Sequence, residues 1–169
     1  VQADLSPVIA ATAQWLTRSF PAPGGALAAA LCEVQARQAV TVAARLRYPT
    51  EMDVALVGLA GPGGSARLDW VTGADAAGSD EGEAWRTWVD EVVASWAACL
   101  LADLALSGLA VTALTGGAAP AEFRRLVAPD EADRRAAALL RHPDLLLPVA
   151  GLHRSALLSR LDPDVTLVG

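Results

Sequence analysis

Apolar residues recur along this chain with two different periods. From Ser6 to Arg37 the spacing is helical. Ser6-Pro7 reads as the N-cap and first position of a helix, and Val8, Ala11, Trp15 and Leu16 hold one face. Pro21 and Pro23 close it. Gly24-Gly25 leads into a second helix over residues 26–37, with Leu27, Ala30, Leu31 and Val34 inward.

The period then falls to two. Val40, Val42, Ala44, Leu46 and Tyr48 alternate with Thr41, Ala43, Arg45 and Arg47, which predicts a half-exposed strand. Met52–Ala60 is apolar on both faces and reads as a more buried strand. Beyond the Gly61–Gly64 turn, Ala66, Leu68 and Trp70 alternate with Arg67 and Asp69 in a third strand, completing an antiparallel meander.

A polar loop over residues 73–82 precedes the strongest periodic signal. At 100° per residue, Trp85, Val89, Val92, Trp96, Cys99, Leu100 and Asp103 share one stripe of a helix predicted over Glu83–Leu106, which Gly108 would stop. Leu109–Thr115 reads as a fourth strand. Pro120 opens a short helix to Val127, and two more helices follow over Asp130–Arg141 and Gly151–Leu161. Val165–Val168 reads as a terminal strand.

The predicted class is α+β over one domain, residues 1–169. A three-stranded antiparallel meander with one or two further strands packs against a long amphipathic helix and several shorter ones. The order helix, three strands, long helix, strand over residues 26–115 resembles that of small acidic bacterial secretion chaperones. The resemblance is one of element order alone and carries no matching motif.

Composition narrows the class further. The chain has 169 residues, 53% of them hydrophobic, which excludes a disordered polymer. It has 13 Arg, no Lys, no Asn and a single Ile, as expected of a GC-rich bacterial gene. The net charge of −6 is uneven: residues 51–110 hold ten acids against two Arg, a local balance of −8. Such a surface repels phosphate backbones, so nucleic acid is not expected as a partner. The two predicted C-terminal helices are also spaced too widely for helix-turn-helix.

Between Glu91 and Glu122 the only charge is Asp103, and Val92–Leu114 is long enough to span a bilayer. Asp103 near its middle and the Ser107-Gly108 break argue against a span. With two cysteines, no disulfide framework and no basic leader at the start, the expectation is a cytoplasmic protein.

Four constellations carry candidate chemistry. The first is Trp85, Trp88 and Trp96 on one helix face, either core or a subunit interface. The second is Asp103, placed on the apolar stripe. There it needs a partner, Arg45 or Arg47 of the first strand, or is a pocket acid or base; a third reading ends the helix before Asp103 and leaves it exposed. The third is Thr115-Gly116-Gly117, a turn between strand and helix that could hold an anion with help from Arg124 and Arg125. The fourth is His142 and His153 as catalytic bases, without a serine elbow to serve. Cys32, Cys99 and the two histidines lack metal-ligand spacing, so no metal is expected, and no motif names a cofactor.

Two functions fit. One is a non-catalytic interaction or ligand-binding domain, forming a homodimer and binding a protein or small molecule. The other is a small enzyme of bacterial specialised metabolism, with Asp103 and a histidine in a pocket.

Overall fold

In the computed structural model, which describes residues 4–61, 64–74, 83–118 and 120–162, every regular element among those residues is a helix. The expected antiparallel sheet is absent, and the likeness in element order to the secretion chaperones goes with it. The predicted terminal strand Val165–Val168 lies outside the described residues.

Helix α1 (Ser6–Ser19) carries Pro7 in its first turn, where a missing N–H costs nothing, and it stops at Phe20 before Pro21. Helix α2 (Ala26–Arg47) starts where the sequence places it and runs ten residues further than expected. No glycine or proline interrupts residues 26–48. The buried positions Cys32, Gln35, Ala36, Ala39, Val40 and Ala43 form one helical stripe through the segment that alternates like a strand. Val40, Val42 and Leu46 fit both periods over so short a window. Ala39 and Ala43 decide the matter, because both are fully buried.

Helix α3 (Glu51–Ala60) replaces the second strand. Thr50 and Asp53 form a capping box: the Thr50 hydroxyl accepts from the Asp53 N–H at 3.2 Å, and Asp53 accepts from the Thr50 N–H at 3.1 Å. Helix α4 (Ala66–Thr72) replaces the third strand. Its inward residues, Leu68 and Asp69, are consecutive, which a pleated strand would place on opposite faces. Gly73 ends it in the left-handed region at φ 72°.

The long helix predicted over Glu83–Leu106 is three elements. A 3-10 segment (Glu83–Trp88) comes first. Asp90 then caps α5 (Glu91–Ala102), accepting from the N–H groups of Val92 and Val93. The helix breaks at Asp103, whose extended backbone ends α5 and caps α6 (Leu104–Thr115) through the Leu106 N–H at 3.1 Å. Ser107 donates its hydroxyl to the Leu100 carbonyl across the break at 2.6 Å. Leu109–Thr115, expected as a strand, is the second half of α6, and Gly108 lies within that helix rather than ending it. No helix among the described residues is long and apolar enough to cross a membrane.

The remaining elements are a 3-10 turn (Ala121–Phe123), α7 (Arg124–Val127), α8 (Glu131–Ala136), α9 (Pro143–Ala150) and α10 (Arg154–Leu161). Helices α2 and α5 lie against each other at the centre. Helices α1 and α8 cover α2, and α9 covers α5. Small side chains permit the central approach: Ala36, Ala39 and Ala43 on α2, and Ala94, Ala97 and Ala98 on α5, are fully buried. Leu16, Leu100, Leu126, Leu140, Leu146 and Leu157 fill the space around them. Each is worth roughly 1.5–3 kcal/mol of burial.

Candidate functional site

The three candidate catalytic residues occupy separate places. Asp103 is half-buried, and its carboxylate is taken up by the α6 cap. The Arg partner expected for it is absent. With residues 40–48 in a helix, Arg45 reaches Glu122 at 3.2 Å and Arg47 lies over the Tyr48 ring. His142 is exposed at the start of α9 and caps nothing with its side chain.

His153 is better held. Its Nε2 lies 2.7 Å from Glu91 Oε1, which also accepts from Arg67 at 3.0 Å. Its N–H donates to the Ser95 hydroxyl at 3.0 Å, and its carbonyl accepts from the Trp96 indole at 3.1 Å. These bonds pin the α9–α10 turn to α5. Ser95 donates its hydroxyl to the Ala150 carbonyl at 3.1 Å, so its proton is aimed at backbone rather than at the imidazole. A serine nucleophile needs its base at the hydroxyl. No hydrogen bond or ion pair joins Asp103, His142 and His153 to one another.

The expected anion turn has changed context. Gly116 takes the left-handed conformation at φ 71° and closes the C-terminus of α6, its N–H bonded to the Thr112 carbonyl. The turn follows a helix rather than a strand, and a helix C-terminus presents carbonyls, the wrong sign for an anion. Gly117 follows it in the same turn. Arg125 is paired with the fully buried Asp133, and Arg124 lies 3.8 Å from both Asp130 and Asp133.

Of the candidate interface tryptophans, Trp96 is buried, and Trp85 and Trp88 are half-buried against the core. Arg18 and Arg86 lie over the Trp85 ring at 4.9 and 5.5 Å. The exposed tryptophan is Trp70 on α4, at 75%. Cys32 and Cys99 are buried free thiols, and burial pushes Cys32 up to about 11. Among the described residues no three His, Cys, Asp or Glu side chains gather where a metal ion could sit.

Among the described residues two carboxylates are buried, Asp69 and Asp133, neither of them a candidate from the sequence. Asp69 accepts from the Trp15 indole at 2.9 Å, from Ser65 at 3.3 Å and from Arg86 at 2.8 Å. Asp133 pairs with Arg125, while the Gln35 amide donates to the Asp133 carbonyl at 2.8 Å. Gln35 in turn accepts from Arg141 Nε at 2.6 Å, and Arg141 donates to the carbonyls of Arg125 and Leu126 at 2.9 Å. Burial pulls Arg141 down to about 10, and the Asp133 charge opposes the shift. These bonds run between side chains and backbone of separate helices, so the two networks join helices. The Asp130-x-x-Asp133 pattern was the sequence signal for the second; it is a capping box.

Helix α3 turns an apolar face to solvent. At 100° per residue, Ala55, Leu59, Met52 and Leu56 span a single 100° sector of α3, and all four are exposed. Met52, Leu56 and Leu59 are 70, 55 and 85% accessible. The inward face of the same helix is Asp53, Val54 and Val57, all half-buried, with Val57 packed on the core. Helix α3 is thus more apolar outside than inside. Its N-terminal end borders a cleft of about 430 Å³ lined by Asp4, Leu5, Arg45, Tyr48 and Glu51 among others. Comparison with protein-family models, curated proteins and solved structures finds no match to this chain.

Proposed function

We propose that this chain is a non-catalytic interaction domain and that α3 is its docking element. The outward face of α3 carries the reading: three large apolar side chains, four and three residues apart, turned to solvent on a helix fixed at its start by a capping box. A contiguous apolar face of this kind marks a binding surface on a soluble domain. Helices with anchors at this spacing dock into apolar grooves. Trp70 adds a second exposed anchor on the next helix, and tryptophan is among the residues that dominate binding energy. Two buried, unpaired cysteines favour the cytoplasm as the compartment. The enzyme alternative has no comparable support, since its three residues share no contact.

Association through α3 takes one of two forms: a homodimer, the commonest symmetric assembly, or docking to a different protein. Light scattering separates them, because a concentration-independent monomer excludes the dimer.

The interaction reading itself is tested on the protein alone. Leu56→Glu with Leu59→Glu should leave the urea midpoint nearly unchanged, within about 0.5 kcal/mol, and should reduce binding of an apolar dye. A loss of about 2–5 kcal/mol, the cost of breaking a core, would mean the face is buried in the monomer and would remove the reading.

A further inference from the structure

We infer that the occupant of α3 is a different protein that offers an apolar groove rimmed by Lys and Arg, and not a second copy of this chain. The inference rests on the interaction reading above and adds the chemistry of the partner.

Charge is the first argument. No cation lies along α3, and residues 51–60 carry Glu51 and Asp53. Glu51 is exposed at the edge of the apolar sector. Asp4 lines the same cleft as Glu51. The nearby cations are already engaged: Arg45 is bound to Glu122, and Arg47 lies over Tyr48. A two-fold contact sets a surface against itself. It would bring two copies of Glu51 and Asp4 toward one another. A basic rim meets the same charges with attraction and speeds encounter.

Area is the second argument. A specific, stable protein–protein interface buries about 800 Å² on each partner. Helix α3 has ten residues and three large anchors, and flat pairing of two such helices falls well short of that. A groove encloses a helix on three sides and takes more area from the same residues.

The test uses the whole chain and two designed helical hairpins. Both present the same Leu-lined groove, one rimmed with Lys and Arg, the other with Glu. Fluorescence anisotropy should show binding to the basic-rimmed hairpin at least about tenfold tighter than to the acidic one, and weakening as salt rises. Glu51→Arg, an exposed substitution outside the core, should narrow that preference. Leu56→Glu with Leu59→Glu should abolish binding, with unchanged circular dichroism.

Equal affinity for the two rims, or binding to neither, overturns the inference. So does a dimer by light scattering that the double Glu variant dissociates. Equal affinity lost in that variant leaves the interaction reading standing without its charge selection. Unfolding of that variant removes the interaction reading itself, and Glu51→Arg still reports on the rim.

Discussion

Helices α2 and α3 follow one another in the chain, separated by Tyr48-Pro49-Thr50, and they end up in opposite environments. Nine residues of α2 are buried, among them Gln35, an amide. None of α3 is buried, although seven of its ten residues are Met, Val, Leu or Ala with only two acids among the rest. Apolar content therefore does not assign burial in this chain. Length and neighbours do: α2 has α1, α5 and α8 against it, while α3 rests on the body chiefly through Val57. The stability of the centre comes from close alanine packing and closed polar networks. The exposure of α3 leaves apolar surface available to a partner.

The comparison predicts a graded response to substitution. The largest effect should come from Asp133→Ala, which removes a fully buried carboxylate and strands Arg125. A loss of about 3–5 kcal/mol in denaturant unfolding is expected; a loss below about 1 kcal/mol would mean the network beneath α8 contributes little to the centre. Ala39→Leu comes next. It forces three extra carbons into the fully buried side of α2 and should cost about 1–3 kcal/mol. Full tolerance would show that α2 is not closely packed there.

Thr50→Ala opens the capping box of α3 and should cost about 0.5–2 kcal/mol locally. Hydrogen exchange should place the added opening in residues 51–60 and leave α5 protected. Exchange rising equally in α5 would show that α3 and the centre unfold as one unit, and the contrast would disappear.

The smallest effect concerns pH. Hydrogen bonding from the Asp133 N–H, the leading cause, holds the Asp130 carboxyl below its ordinary value of 3.8. A carboxylate depressed in the fold stabilises it above its unfolded pKa, and the contribution is lost as pH falls through the folded value. Stability should thus fall more steeply below about pH 4 in the wild type than in Asp130→Asn, which caps without titrating. Matching acid limbs would show that the α8 cap adds nothing there.

Several elements were legible before any coordinates. Pro7 and Pro21 bound α1, although Leu5 rather than Ser6 is its N-cap, Gly24-Gly25 precedes α2, and Asp130 caps α8. Each is set by a local rule: a fixed proline φ, a permissive glycine, a side chain that accepts from its own first turn. The strand assignments failed because alternation over five residues is also compatible with a helical stripe when alanine fills the gaps. The signals against them were local as well. Thr50-x-x-Asp53 is a capping box, and no breaker lies within residues 26–48. Asp103 is the reverse case. The stripe from Trp85 assumed an unbroken helix, while a short carboxylate can equally end one helix and cap the next.

The sequence by itself determined where α1, α2 and α8 begin, that the net charge is acidic, and that no common catalytic or metal motif is present. Those properties depend on neighbours within a turn or on summed charge. Only the tertiary structure decided which carboxylates are buried and which apolar helix faces water. Asp69 meets Trp15 across 54 residues, and Gln35 meets Arg141 across 106. Contacts that distant in sequence leave no periodicity to read. The outward face of α3 is set in the same way, because exposure depends on what the rest of the chain leaves uncovered.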